Sequence, residues 1–282
     1  MTIRPMRRDG DGAGPGREAG PPDLEAPLVL RRTEGSAGGA AEAPAPVDPW
    51  RRLRQVALDP RHLARHRLIS AGREDPAHVA FDVLRTRLLQ SLKAHGWSRV
   101  AITSPTKGCG KTFVAANLAF SLARTSARVA LLDMDLRIPS LAGVLGVREP
   151  GSMLDFLAGR RPLERHLLRV APNLAAGLNA APVADAAELL QAPGTAETLA
   201  AAQEALRPDV VIYDLPPALL CDDLLAFLPQ VDGVLMVAGG GVTQAEDVRK
   251  CERLLAGQTP LLGVILNKAE DASLEAYGYM KK

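Results

Sequence analysis

The alternation of apolar runs with helical segments, between residues 79 and 270, most restricts how this chain can fold. Five runs have the composition of strands buried on both faces: RVAIT (99–103), VALLDMD (129–135), VVIYDL (210–215), GVLMVAG (233–239) and LLGVILN (261–267). Buried strands that alternate with helices form a mostly parallel sheet with helices on both faces. The sequence therefore predicts an α/β domain.

A glycine-rich loop follows the first of these strands. The segment SPTKGCGKT (104–112) leads directly into a helical stretch, so its backbone N–H groups and the positive end of the helix can bind phosphate oxygens. The loop departs from GxxxxGK[ST] at Pro105, where Gly or Ala is usual. We predict a P-loop NTPase fold that binds ATP and Mg²⁺ through Lys107, Gly108, Cys109, Gly110, Lys111 and Thr112. For Lys107, a solvated loop charge is the alternative.

Three aspartates stand at the ends of two other predicted strands. LLDMDLRIP contains Asp133 and Asp135, and VVIYDLPP contains Asp214. A single strand-end aspartate usually forms a turn or caps a helix, but ligands of α/β folds bind beyond the carboxyl ends of the strands. We therefore expect these carboxylates near the loop. There one carboxylate can hold Mg²⁺ through water while another accepts a proton from an attacking hydroxyl.

The rest of the chain divides by composition. Residues 1–48 are mostly Gly, Pro, Ala and charged residues, which predicts a disordered tail. Residues 49–78 form a basic linker with helical spacing, and 50–68 hold six arginines and one aspartate. This basic segment is either a solvated helix or strap on the domain, or a contact for anionic lipid or an acidic partner. The domain itself is assigned to 79–270, and a flexible tail to 271–282.

Charge and composition exclude several classes of protein. Lys and Arg number 34 against 32 Asp and Glu, a net charge of +2, which argues against nucleic acid as a partner. The sequence shows neither a run of about 18 apolar residues nor a secretion signal, so we expect a cytoplasmic protein. The three cysteines are too few and too scattered for a disulfide framework or a CxxC metal site.

The motifs together resemble the bacterial tyrosine kinases, cytoplasmic P-loop proteins of capsule and exopolysaccharide synthesis. The resemblance covers about 79–282 and rests on SPTKGCGKT, on LLDMDLRIPSL with its DxDxR pattern, and on VVIYDLPP. It implies an ATP- and Mg²⁺-dependent autokinase that works with a membrane-bound chain-length regulator. Because the regulator would be a separate chain, this protein would lie at the inner face of the plasma membrane through that partner.

The resemblance also implies roles for individual residues. Lys111, Asp133 and Asp135 would be catalytic, with Asp133 accepting the tyrosine proton. Mg²⁺ would be held by Thr112, Asp135 and Asp214, and Asn267 would lie near the nucleotide base. The phosphoacceptors would be Tyr277 and Tyr279, which lie within the last six residues and would be phosphorylated in trans in a ring of subunits. Arg137 would orient Asp135 or the tail of a neighbour.

The subunit-interface helix departs from the family pattern. The family carries ExxRxxR there, and the equivalent positions are Val79, Asp82 and Arg85, so only the last arginine remains. Because residues spaced by three share a helix face, we still expect self-association, with the number of subunits left open.

Two other functions fit the same fold. A partitioning or septum-positioning switch ATPase carries a signature lysine where Thr106 stands, and Lys107 is one residue out of register. The second alternative is a non-catalytic protein that binds the regulator in a nucleotide-dependent way. The DxDxR pattern, the complete set of site residues and the terminal tyrosines favour the kinase.

Cys109 is interpreted either as a small residue tolerated by the loop or as a redox-sensitive thiol at a helix N-terminus.

Overall fold

The computed structural model describes residues 3–4, 48–72 and 75–269. Within them, nine strands form one sheet in the order β1-β9-β8-β3-β7-β4-β6-β5-β2. The strands are β1 (Ile3–Arg4), β2 (Arg54–Gln55), β3 (Arg99–Thr103), β4 (Val129–Asp133), β5 (Leu168–Ala171), β6 (Leu174–Gly177), β7 (Val210–Asp214), β8 (Gly233–Gly239) and β9 (Leu261–Asn267). Only the pairs β1/β9 and β5/β6 are antiparallel. The predicted mostly parallel sheet is confirmed.

Helices cover both faces of this sheet. They are α1 (Pro60–Arg65), α2 (Ile69–Gly72), α3 (His78–His95), α4 (Lys111–Ala123), α5 (Leu141–Leu145), α6 (Met153–Leu157), α7 (Leu163–His166), α8 (Ala186–Gln191), α9 (Pro193–Leu206), α10 (Asp223–Phe227) and α11 (Ala245–Leu255), with short 3-10 helices at Pro49–Arg52 and Leu228–Gln230. Alternate residues of the central strands enter two separate cores: Val100 and Ile102 pack on one side and Ala101 on the other. Crossing a bilayer requires a long, uniformly apolar helix, and the described residues form none.

The segment AELLQAPGTAETLAAAQEAL (187–206) has the composition of one helical stretch, but it forms two helices. Ala192 separates them with an extended ψ of 135°, and Pro193 begins α9. A proline disfavours the helical conformation of the residue before it, which explains the break. The sequence patterns also missed β5 and β6, two four-residue strands between β4 and the edge strand β2.

The basic segment packs on the domain as a strap. Trp50 is buried, its indole N–H donates to the Leu206 carbonyl at 2.8 Å, and the Arg128 guanidinium lies 5.6 Å from its ring centroid. Just after it, β2 adds a short parallel strand beside β5. Leu63 and Leu68 enter the core that α3 and α4 also line. The predicted tails, 1–48 and 271–282, lie outside the described residues, apart from β1 and Asp48.

A buried histidine lies far from the sheet centre. His166 is fully buried at the end of α7 and stacks on Phe156, with ring centroids 4.6 Å apart. Neither ring nitrogen has a hydrogen-bond partner within the part of the chain that the structure describes. Burial, reinforced by the nearby Arg161 charge, lowers the pKa of His166 to about 4, so the imidazole is neutral in the folded protein.

Replacing Trp50→Ala should destabilise the protein by about 3–5 kcal/mol, because the change opens a cavity and removes the hydrogen bond to Leu206. Urea unfolding followed by circular dichroism measures the loss. The exposed neighbour provides the control: Arg51→Ala should change the free energy of unfolding by less than about 0.5 kcal/mol. Equal losses would contradict the anchoring role of Trp50.

Acidification should weaken the fold through His166. The unfolded chain binds a proton at this residue below pH ~6.5, whereas the folded protein does so only near pH 4, so the free energy of unfolding falls across that window by up to about 3 kcal/mol. His166→Phe should remove this part of the pH dependence. Urea midpoints of both proteins at about pH 7 and about pH 4.5 test it; an identical drop in both would contradict the assignment.

Candidate active site

The phosphate loop has a backbone that glycine makes possible. Gly108 and Gly110 adopt left-handed φ values of 81° and 86°, and Gly110 is the residue before α4. A Cβ added at Gly110 would collide with the side-chain amide of Asn267. The loop therefore turns the backbone N–H groups toward the start of α4, where an anion can be bound.

Two side chains at the end of β9 and just after it donate hydrogen bonds to the backbone of this loop. Asn267 Nδ2 donates to the Cys109 carbonyl at 2.9 Å, and Lys268 Nζ donates to the Gly108 carbonyl at 2.8 Å. Asn267 thus supports the backbone of the loop, a contact that the sequence motifs did not reveal. That it also lies near a nucleotide base stays a prediction.

Cys109 anchors the loop from inside. Its side chain is 1% exposed, and Sγ lies 3.3 Å from both the Thr106 carbonyl and Thr243 Oγ1. Burial alone would raise the pKa of this thiol, but hydrogen bonds with Thr243 and Thr106 outweigh it and lower the pKa. A thiol enclosed in this way is poorly accessible to an oxidant, so its position favours the structural interpretation over the redox one.

Lys111 lies among carboxylates at the first turn of α4. Its Nζ is 2.8 Å from Asp135 Oδ2 and 3.5 Å from Asp214 Oδ1. Burial opposes the charged ammonium, but Asp214 and Asp135 more than compensate and raise the pKa of Lys111. The residue is therefore cationic and directed at the space above the loop.

Asp133 and Asp214 lie at the bottom of the site, fully buried. Asp133 Oδ2 accepts a hydrogen bond from the Leu141 N–H at 3.0 Å, while Asp133 Oδ1 and Asp214 Oδ2 have no hydrogen-bond partner among the described residues. Burial, with the charge of Asp214 close by, raises the pKa of Asp133, and burial likewise raises that of Asp214. Buried oxygens without partners are uncommon in proteins, so this pair fits a site that receives a cation or a hydroxyl.

A cleft of about 610 Å³ lies beside Lys111, Thr112 and Asp135. The loop residues, Lys107 included, line this cleft together with Asp135, Arg137, Ile138, Pro216, Pro217 and Leu220. Ser140 also lines the cleft, and its Oγ is 3.1 Å from Thr112 Oγ1. Ser140 was missed because a serine after a strand is common in turns.

Arg137 has a different partner from the one expected. Its guanidinium donates two hydrogen bonds to the buried carboxylate of Asp223. Nη2 lies 2.7 Å from Oδ1, and Nε lies 2.9 Å from Oδ2. Asp135 instead accepts from the Ile138 N–H at 3.0 Å. The expectation that Arg137 orients Asp135 is therefore wrong within this chain: α10 holds the arginine at the rim of the cleft.

The predicted residues separate into three groups. The structure brings together the loop, Lys111, Thr112 and the three aspartates. On α3, Arg85 binds Asp82 at 2.7 Å and the Ser121 hydroxyl at 3.2 Å, while Val79 is 51% exposed. Tyr277 and Tyr279 lie outside the described residues.

No group of three or more His, Cys, Asp and Glu side chains in the described ranges forms a ready metal cage. Mg²⁺ in nucleotide sites usually takes only one or two carboxylates and completes its shell with phosphate and water oxygens. The donors present, Thr112 Oγ1 and the oxygens of Asp135 and Asp214, therefore suit Mg²⁺ bound together with a nucleotide.

Comparison with known proteins shows which family this chain belongs to. A family model described as the CobQ/CobB/MinD/ParA nucleotide binding domain matches residues 100–280. The tyrosine-protein kinase YwqD of Bacillus subtilis is 31% identical over 182 residues, which are 64% of this chain and 76% of YwqD. EpsB of Ralstonia solanacearum is 34% identical over 212 residues, 73% of this chain. This chain spans only 27% of the length of EpsB.

Among solved structures, the kinase domain of the Escherichia coli tyrosine kinase ETK superposes with a TM-score of 0.67 at 27% identity. The match covers 73% of this chain and 82% of that domain. The P-loop fold predicted from the motifs is confirmed.

Gly110→Ala should weaken ATP binding by more than about tenfold, because a Cβ there meets Asn267 and strains a left-handed residue. Titration calorimetry measures the affinity. Gly194→Ala in α9 is the matched control, since a Cβ at Gly194 has no atom within 4 Å and its φ is ordinary. Unchanged affinity of the Gly110 variant would mean that the loop does not bind phosphate in this shape.

Proposed function

This chain belongs to the CobQ/CobB/MinD/ParA nucleotide-binding family and, within it, to the bacterial tyrosine-protein kinases, and we propose that it is an ATP- and Mg²⁺-dependent protein-tyrosine autokinase. It phosphorylates the C-terminal tyrosines Tyr277 and Tyr279 in trans and thereby regulates polymerisation and export of exopolysaccharide or capsule. One observation carries the proposal: the Lys111 ammonium lies between Asp135 and Asp214 at the start of α4, with Asp133 buried beside them.

The residues of the site fit ATP and Mg²⁺. Loop N–H groups and Lys111 bind the phosphates, and Thr112, Asp135 and Asp214 are the ligands available to the ion. The partnerless oxygen of Asp214 supports this assignment, since an ion or its water can satisfy it. When bound, Mg²⁺ neutralises charge on the transferring phosphoryl group.

Two side chains have distinct tasks in phosphoryl transfer. Lys111 exchanges its carboxylate contacts for the outer phosphates and stabilises their charge in the transition state. Asp133 takes the proton of the attacking tyrosine. A neutral phenol has a pKa of about 10 and is a weak nucleophile near neutral pH, so the attacking tyrosine needs a base beside it, and Asp133, buried next to Asp214, is the candidate for that role.

Burial excludes one of the tyrosines of the chain as a phosphoacceptor. The chain has three tyrosines. Tyr213 lies in β7, is 3% exposed and packs against Phe227, with ring centroids 4.9 Å apart. Burial raises the pKa of Tyr213 well above its ordinary value, so this hydroxyl can neither reach a cleft nor ionise readily. Tyr277 and Tyr279 are the remaining candidates.

The proposed partner is a membrane-bound polysaccharide chain-length regulator on a separate chain. It would hold this protein at the inner face of the plasma membrane and promote its activity. Self-association supplies the neighbour whose tail is phosphorylated. The helix α3 supports such an interface because Val79 and Val83 are 51% and 45% exposed on its outer face.

Lys111→Met should abolish tail phosphorylation, with at least about a hundredfold loss of rate, because the phosphates lose their cationic partner. Intact-mass and C-terminal peptide mass spectrometry after incubation with Mg-ATP detect the modification, with and without the cytoplasmic segment of a candidate regulator. The exposed Lys250→Met, on α11, is the matched control and should leave the phosphate on Tyr277 or Tyr279 unchanged.

Tyr277→Phe combined with Tyr279→Phe should remove the label and leave nucleotide binding intact. In the wild-type protein, ATP hydrolysis with an unmodified tail would instead identify a switch ATPase of the partitioning type. Nucleotide binding without hydrolysis or phosphotyrosine would identify a non-catalytic partner. Either result would refute the kinase.

A further inference from the structure

The positive charge of this protein is concentrated on the strap, defined here as residues 48–68. It holds six arginines and two aspartates, a net charge of +4, whereas the whole chain carries +2. All other residues together therefore carry −2. The strap is the positive pole of a chain that is otherwise slightly acidic.

Five of these arginines lack a carboxylate partner among the described residues; one is Arg67, and the other four lie on the two helical elements of the strap. Arg51, Arg52, Arg61 and Arg65 are exposed, and no carboxylate of the described residues pairs with their side chains. The two aspartates are engaged elsewhere: Asp48 binds Arg128 at 2.9 Å, and Asp59 accepts the Arg61 backbone N–H at the start of α1. The four guanidinium groups are thus available to an external anion.

The strap is fixed to the domain at several points. Trp50 is buried under Leu206, β2 pairs with β5, and Leu63 lies in the core beneath α1. The neighbouring His62 donates to the Gly143 carbonyl of α5 at 2.8 Å. Because these contacts order the backbone beforehand, engaging the arginines costs little additional conformational entropy.

We propose that the strap is a binding surface for anionic lipid headgroups at a membrane. The arginines lie on two separate elements, the helix Pro49–Arg52 and α1, where Arg61 and Arg65 share a face through their spacing of four. Mobile lipids can bring one phosphate to each guanidinium wherever it lies, whereas a folded acidic protein has to match all four positions. This favours a fluid anionic surface over an acidic polypeptide.

The binding is electrostatic and superficial. The large apolar side chains that the described residues expose are Val79, Val83, Ile138, Leu154, Leu220, Val242 and Leu266, and none belongs to the strap. The strap therefore has no large, well-exposed apolar side chain to insert among acyl chains. Its affinity for a membrane should fall steeply as salt shortens the screening length.

Vesicle co-sedimentation of the full chain without nucleotide tests the proposal independently of kinase activity. The protein should bind vesicles of phosphatidylglycerol and phosphatidylcholine but not pure phosphatidylcholine, and high salt should release it. Each arginine changes affinity by about fivefold, so changing Arg51, Arg52, Arg61 and Arg65 together to Gln should weaken binding by two to three orders of magnitude. The same four changed to Lys should largely retain it.

A charge-matched variant separates a local surface from net charge. Lys93, Arg124, Arg165 and Lys250 are exposed on other elements, and changing all four to Gln should leave most of the binding intact. Circular dichroism checks that each variant is folded; a quadruple Gln variant that fails to fold is replaced by the pair Arg61→Gln and Arg65→Gln.

Three outcomes would overturn the proposal: no preference of the wild type for anionic vesicles, undiminished binding of the strap variant, or equal loss in the matched control. Salt-sensitive binding to polyglutamate without binding to vesicles would also overturn it and indicate an acidic protein partner instead.

Discussion

The site depends on an unequal balance of buried charge. One ammonium, that of Lys111, faces the carboxylates of Asp135 and Asp214, with Asp133 buried behind them. The sheet brings these groups together because β4 and β7 are neighbours and Asp133 is paired in register with Asp214. A single cation does not neutralise three acids in a place that water barely reaches, so the raised pKa values and partnerless oxygens follow from the topology. An additional cation relieves this imbalance, and the loop N–H groups beside it attract the phosphates that accompany such an ion.

Features encoded over a few residues were predictable, and those that join distant parts of the chain were not. The loop, the strand β3 and the aspartates follow local rules of glycine placement and apolar runs, and the strands β8 and β9 were predicted to the residue. The brace of Asn267 on Cys109 joins residues 158 positions apart, and the fork of Arg137 on Asp223 joins residues 86 apart. The spacing of apolar and polar residues along the sequence does not predict contacts between residues so far apart. The strands β5 and β6 were missed because four residues give too short a pattern.

The strap and the active site share a structural neighbour. Helix α5 receives His62 of the strap at Gly143, and the residue before the helix, Ser140, lies beside Thr112 of the loop. Its first N–H, from Leu141, holds Asp133. Residues 141–143 thus lie between a charged outer surface and the proposed catalytic base, and they connect the arginine surface to the site through a continuous set of contacts.

The placement of the two tryptophans gives the molecule an internal pair of optical reporters. Trp50 is enclosed beside Arg128, whereas Trp97 is partly exposed and stacks on the ring of His95 at 4.2 Å. An indole in an apolar enclosure emits at shorter wavelength than one in contact with water. The emission of Trp50 therefore follows the docking of the strap, while that of Trp97 follows the junction between α3 and β3. Detachment of the strap and melting of the sheet become separable events in one fluorescence spectrum.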